Sequence, residues 1–227
     1  MTKIFLLFSL LFATLLASQN TALIKDTITK AYSEHYKDYG IEISDIALNL
    51  PSNLSSQISP DYQIQSIDLD SKYLNKKNGT LLLNVSFKNS LLKIPATYQI
   101  KASIVVYRAT TPIKKSQNIT EANTQKDRVS LDKINQVPIK TSQINHISAK
   151  SYIPTNAIIT LDKIQAKILI HKNDAFSATI KDKQISLETT LIAKENGTKD
   201  QIINAINPET QKIIRVKVTG EGKGEVL

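Results

Sequence analysis

From Ile94 to Ile104, apolar residues fall at every second position. Ile94, Ala96, Tyr98, Ile100, Ala102 and Ile104 share one side, and Thr97, Gln99, Lys101 and Ser103 share the other. A period of two belongs to a strand with one buried face. Ile41 and Ile43 alternate with Glu42 and Ser44, and Ile46, Leu48 and Leu50 resume after a one-residue phase change that resembles a bulge. Tyr62 to Leu74 and Thr80 to Lys88 flank Asn78-Gly79, which predicts a hairpin because both residues tolerate positive φ. Pro51 and Pro60 bracket a Ser-rich loop, and Asn89-Ser90 suits a second hairpin turn. Further strands are predicted around Pro138 to Ile147, Ile158 to Leu161, Ala166 to Ile170, Phe176 to Ile180, Ile185 to Ala193 and Ile213 to Val218. Turns at Asn173-Asp174, Lys181-Asp182, Asn196-Gly197 and Asn207-Pro208 separate the last of these. Glu121 to Leu131 reads as a polar connector with room for a short helix, and Gly220 to Gly224 as a flexible end. A helical period occurs over Ala22 to Tyr39, where Ile24, Ile28, Ala31, Tyr32, His35 and Tyr39 recur at steps of three and four. Thr21 can cap its start and Gly40 can end it. The fold class is therefore mainly β with one N-terminal helix.

The apolar run Ile4 to Leu16, preceded by Lys3 and followed by Ala17-Ser18, reads as a secretory signal peptide over residues 1–18. It falls short of the roughly 20 apolar residues that span a bilayer, so no stable membrane insertion is expected after cleavage. The chain has no cysteine, which excludes disulfides, lipid attachment through cysteine and thiol metal sites. Its stability must come from burial. Charge is uneven: residues 19–103 carry 9 Lys against 8 Asp and Glu, whereas residues 104–227 carry 19 Lys and Arg against 12 Asp and Glu. In an exported protein the basic half suits anionic cell-wall polymer, lipopolysaccharide or an acidic protein, and nucleic acid is not an expected partner.

Catalytic chemistry is sparse. His35, His146 and His171 have no second His at ligand spacing, and no nucleophile elbow or phosphate loop is present. Asp68 and Asp70 share one strand face, which reads as polar surface rather than a cation site. No enzyme activity, cofactor or metal is expected.

Ile113-Lys-Lys-Ser116-Gln-Asn-Ile119-Thr120 and Ile153-Pro-Thr-Asn156-Ala-Ile-Ile159-Thr160 share the pattern Ile-x-x-[Ser/Asn]-x-x-Ile-Thr at an offset of 40 residues. Each sets a small polar residue between β-branched anchors, which suits a tight turn entering a strand. Val105-Val106-Tyr107-Arg108 leading into the first copy resembles the opening of a SAF (β-clip) domain, and the second copy its closing element. Lys172-Asn-Asp174, Ala193 to Gly197 and Asn207 to Lys212 then follow in the order seen in the FlgA family of flagellar basal-body P-ring formation proteins. Ser116, Asn156, Asn173 and Asp200 stand where that family favours Gly, and Asn and Asp enter the left-handed region more readily than Ser. The resemblance implies a small helix and β domain over residues 19–103, a SAF domain over 104–165 and a C-terminal β domain over 166–227. It implies a periplasmic chaperone that binds the P-ring subunit transiently while the ring assembles around the rod. Self-association is a further partner class left open. Alternative readings are another SAF-type assembly factor, as in pilus assembly, or a glycan or peptidoglycan-binding module. Tyr107 and Arg108 beside the first turn, with Arg215 and Lys217 on a basic strand, are the candidate partner-binding residues. Ile213 to Val218 is the candidate edge strand for backbone pairing with a partner.

Overall fold

The computed structural model describes residues 20–50, 62–88, 90–182 and 185–227. The expected signal peptide, the Ser-rich loop between Pro51 and Pro60 and the turn residue Asn89 lie outside them. The chain is mainly β with one N-terminal helix and forms two compact units: residues up to Val105 with Arg128–Asn135, and Val106–Asp127 with Gln136–Leu227.

In the first unit, helix α1 is described over residues 20–35 and already runs through Thr21, so that residue lies within the helix. Strands β1 (Glu42–Asn49), β2 (Tyr62–Leu69), β3 (Asn78–Phe87) and β4 (Ser90–Ala109) follow; after the short β5 (Asn118–Ile119), which belongs to the second unit, comes β6 (Thr124–Ser130), whose end from Arg128 returns to the first. The sheet runs β1-β4-β3-β2, with β6 paired to β4. The phase change in the first strand is a bulge between Ile43 and Asp45. Alternation along β4 is as the pattern predicts: Ala96, Tyr98, Ile100, Ala102 and Ile104 are buried and Thr97, Gln99 and Lys101 exposed. From α1, Ile24, Ile28 and Tyr32 are fully buried, whereas His35 is exposed and bonds to Asn75 at 2.9 Å. The helical period stops one turn before His35, and Gly40, at φ 53°, takes the left-handed conformation that ends the segment.

Tyr32 ties α1 to the sheet. Its hydroxyl donates to the Lys76 carbonyl (2.6 Å) and lies 3.1 Å from that of Tyr73, and its ring meets Tyr98 edge-on at 6.2 Å. Burial pushes the Tyr32 phenol well above its ordinary range, and the Tyr98 hydroxyl adds to the effect. Asn78-Gly79 is not the hairpin turn. Residues 70–77, including a 3-10 turn at Ser71–Tyr73, make that connection, and Gly79 lies inside β3 beneath Tyr98. A Cβ on Gly79 would fall 2.3 Å from the Tyr98 hydroxyl, so close packing, not turn geometry, requires glycine there.

The first core of the second unit is built from the two repeated turns with β5, β7 (Ile147–Ala149) and β8 (Ile164–Ala166). Its backbone bonding repeats when each residue is exchanged for the one 40 positions away. Ile113 N–H donates to Ile153 O and Ile153 N–H to Ile113 O, both at 2.9 Å. Ser116 N–H bonds Ala149 O as Asn156 N–H bonds Ala109 O, both at 2.8 Å; Ala149 N–H bonds Gln117 O as Ala109 N–H bonds Ala157 O. Ser116 (φ 69°) and Asn156 (φ 61°) both adopt the left-handed conformation, as do Asn173 (φ 73°) and Asp200 (φ 63°). All four Gly-favouring positions therefore keep the left-handed geometry, Ser116 included. The connector after Thr120 forms a 3-10 turn, Glu121–Asn123, with a capping box and then continues as β6.

The second core is a closed barrel. After β9 (Ile168–Ile170), strands β10 (Ala175–Asp182) and β11 (Ile185–Ala193) form a hairpin; β12 (Gly197–Thr198) pairs with β9; and β13 (Ile202–Ile206), β14 (Ile213–Gly220) and β15 (Lys223–Val226) complete the barrel. The expected flexible end is instead β15, which runs parallel to β10 and antiparallel to β14. Gly224 is buried, and a Cβ there would lie 2.4 Å from Val216 Cγ1. The glycines that suggested flexibility allow a tight return at Gly222 (φ 62°) and close packing at Gly224.

Two outcomes are expected. Because the folded Tyr32 phenol titrates above its unfolded value of about 10, its contribution is fully present below that pH and is lost as pH rises through the folded value. Denaturation of the first unit followed against pH should show an alkaline loss of stability, shallower in Tyr32→Phe, which is also weaker at neutral pH by about 1 kcal/mol. In the second unit, Asn156→Val should cost about 1–2 kcal/mol in chemical denaturation because a β-branched residue resists the left-handed conformation, whereas Asn156→Gly should change stability little.

Candidate functional site

Tyr107 and Arg108, the first two candidate partner-binding residues, are both engaged within the unit. Val105-Val106-Tyr107 is a run of three apolar residues, the pattern of a strand covered on both sides. Tyr107 is 5% exposed within the first core, and its hydroxyl bonds Thr141 Oγ1 at 3.1 Å. Arg108 is spent on structure: its Nε donates to Asp127 at 2.6 Å, and Nη1 to the Asn156 carbonyl at 2.7 Å. It thereby holds the second left-handed turn in place.

Arg215 and Lys217 do face outward, on alternate residues of β14 whose intervening Val216 is buried. Lys217 pairs with Asp200 at 3.1 Å, and Arg215 stands exposed opposite Asn204 of β13. The strand carrying them is not an edge. β14 pairs with β13 from Ile213 to Lys217 and with β15 from Val216 to Gly220. Its expected role as an open edge is corrected by β15, the strand concealed in the glycine-rich end.

Among the described residues, β11 has an open edge where it runs past its pairing with β13. This strand pairs with β10 along its whole length but with β13 only at Ile192↔Ile206 and Ala193↔Ala205. β13 stops there because Asn207-Pro208 begins a turn. Asn207 Oδ1 accepts the N–H groups of Glu209 (2.8 Å) and Thr210 (3.1 Å), and Asn207 N–H returns to Lys212 O. Pro208 would be the next residue to face Thr190, and it has no N–H to offer. The signal that locates this edge is thus a proline, two residues past the last paired position. Exposed apolar side chains gather nearby: Ile180 and Leu187, a direct cross-strand pair, are 37% and 60% exposed, and Ile213 is 67% exposed.

Other polar clusters serve structure. His171 Nε2 contacts the Ser116 carbonyl at 3.2 Å, Asn196 Nδ2 donates to Ser116 Oγ at 3.0 Å, and His146 is exposed. Asp68 accepts from Asn84, while Asp70 caps the 3-10 turn and pairs with Lys72 at 2.6 Å. Among the described residues no cluster of His, Asp or Glu could hold a metal ion, and no helix is long and apolar enough to cross a membrane. Three clefts in the first unit contain no histidine among their lining residues.

Comparison with known proteins agrees with this architecture. The flagella basal body P-ring formation protein FlgA of Aquifex aeolicus (strain VF5) is 22% identical over 209 residues, covering 91% of this chain and 83% of its own. The open form of Salmonella FlgA superposes with a TM-score of 0.54 at 14% identity, covering 89% of this chain and 92% of that one. FlgA of Thermotoga maritima MSB8 gives the same TM-score and identity over 91% of this chain and 72% of its own. These structures share the fold. The family model described as chaperone for flagella basal body P-ring formation matches residues 104–226, more than half of the chain. The chain therefore belongs to the family of chaperones for flagella basal body P-ring formation.

Proposed function

We propose that this protein works in the periplasm without enzymatic activity, binding the P-ring subunit transiently and holding it back from premature association. The family match across nearly the whole second unit carries this reading. The barrel supports it physically: exposed apolar side chains and an open strand edge suit a displaceable partner better than a reaction centre. A ring subunit carries surfaces meant for its neighbours, and a chaperone must cover them without competing irreversibly. Arg215 and Lys217, outward on β14, serve in this reading as a basic rim that speeds encounter.

Two measurements test it. A deletion strain should lack flagella and regain them when the ring subunit is overproduced; failure of overproduction to rescue would mean that the protein is needed for more than assistance. Arg215→Glu should slow association with the purified ring subunit by several-fold at low salt, roughly within the one to three decades over which related interfaces vary. That difference should shrink as salt rises.

A further inference from the structure

The β10–β11 hairpin extends past the strands that close the barrel. β15 pairs with β10 only from Ser177 to Thr179, and β13 with β11 only at Ile192 and Ala193, yet the two hairpin strands pair from Ala175↔Ile192 out to Asp182↔Ile185. Phe176 and Ala178 on β10, and Leu191 and Ala193 on β11, point into the core. Ile180 and Leu187 continue those same rows past the positions paired with β15 and β13, and both are exposed.

Antiparallel geometry fixes which backbone groups are available. Ser177 N–H bonds Gly222 O, and Lys194 N–H bonds Asn204 O, so these residues turn their backbones away from the hairpin partner. Since Ser177 lies opposite Thr190, and direction alternates along a strand, Thr190, Glu188 and Ser186 present N–H and C=O on the open side of β11. Leu187 lies on the face between them. An apolar side chain from an added strand would cover it, while a side chain opposite Glu188 would meet a carboxylate. A second copy of this chain is disfavoured as occupant: antiparallel pairing that used all three open positions would set Glu188 against Glu188.

We infer that the open edge of β11, at Ser186, Glu188 and Thr190, binds an extended segment of a partner protein by strand addition. That segment alternates apolar with polar residues and places a basic or neutral residue opposite Glu188. The apolar row covers Leu187 and Ile180, and the backbone bonds supply affinity with little demand on sequence, as suits a client that must later leave. This inference rests on the proposed binding of the ring subunit and names the surface used.

The experiment uses the full secreted chain and the purified ring subunit. Glu188→Pro removes one outward N–H without taking a donor from the β10 ladder, and should weaken binding at least about tenfold. Leu187→Ser should weaken it to a smaller extent, and wild-type amide exchange at Ser186, Glu188 and Thr190 should slow when the subunit is added. Wild-type protein that fails to bind the subunit overturns the chaperone reading itself. Binding by wild type that leaves those three amides unprotected, or is unchanged in a folded Glu188→Pro, overturns only the strand-addition site. A wild-type dimer in sedimentation that Glu188→Pro abolishes would assign the edge to self-association and likewise overturn the inference.

Discussion

The second unit depends on one reciprocal pair of backbone hydrogen bonds, between Ile113 and Ile153. Both residues are fully buried, so neither amide can exchange its partner for water, and a lost bond would leave an uncompensated polar group in an apolar core. Each strand must then reverse within three residues. A left-handed residue achieves this, Ser116 in one arm and Asn156 in the other. The turns in turn fix Ala109 and Ala149, whose small side chains are fully buried at equivalent points of the pattern.

Equivalence of backbone does not extend to side chains, and the differences organise the unit. At the position related to Arg108 stands Ser148, and at that related to Ile158 stands Asn118. Arg108 closes one arm onto Asp127 and the Asn156 carbonyl. Ser148, fully buried, instead donates to Asn118 and accepts from Ile168 N–H at 2.8 Å, while Asn118 reaches the Ile168 carbonyl. That arm therefore receives the barrel. Ser116 reinforces the same junction: its hydroxyl accepts from Asn196, whose Oδ1 takes the Lys172 N–H. A glycine would adopt the turn with less strain but would lack this hydroxyl, which gives a physical reason for serine here.

The barrel shows how closing one edge exposes another. β15 enters parallel to β10 because Gly224 lets its backbone approach Val216, and this pairs both sides of β14. On the opposite side Asn207 and Pro208 end β13 early, and β11 is left paired on one side beyond Ile192. In the proposed binding of a client, this short edge with a few apolar side chains offers contact without the area of a permanent interface.

Local pattern by itself determined the strands that alternate cleanly, the single helix and the repeated turn, because burial of one face writes a period into the chain. Asn156, Asn173 and Asp200 could be read as left-handed from residue type, whereas for Ser116 residue type argued against it and only the structure shows the left-handed turn. The surroundings of the candidate binding residues were less legible. Tyr107 and Arg108 looked available, yet one is packed into the core and the other bonded to Asp127, more distant in sequence than local pattern reaches. Gly79 and Gly220 to Gly224 read as turn and tail, since sequence shows that glycine lacks a side chain but not what occupies the space. Tertiary structure alone decided that Tyr98 and Val216 fill those spaces, that β14 is enclosed and that β11 is open. Edge or interior is a property of which strands meet, and that is settled by long-range pairing.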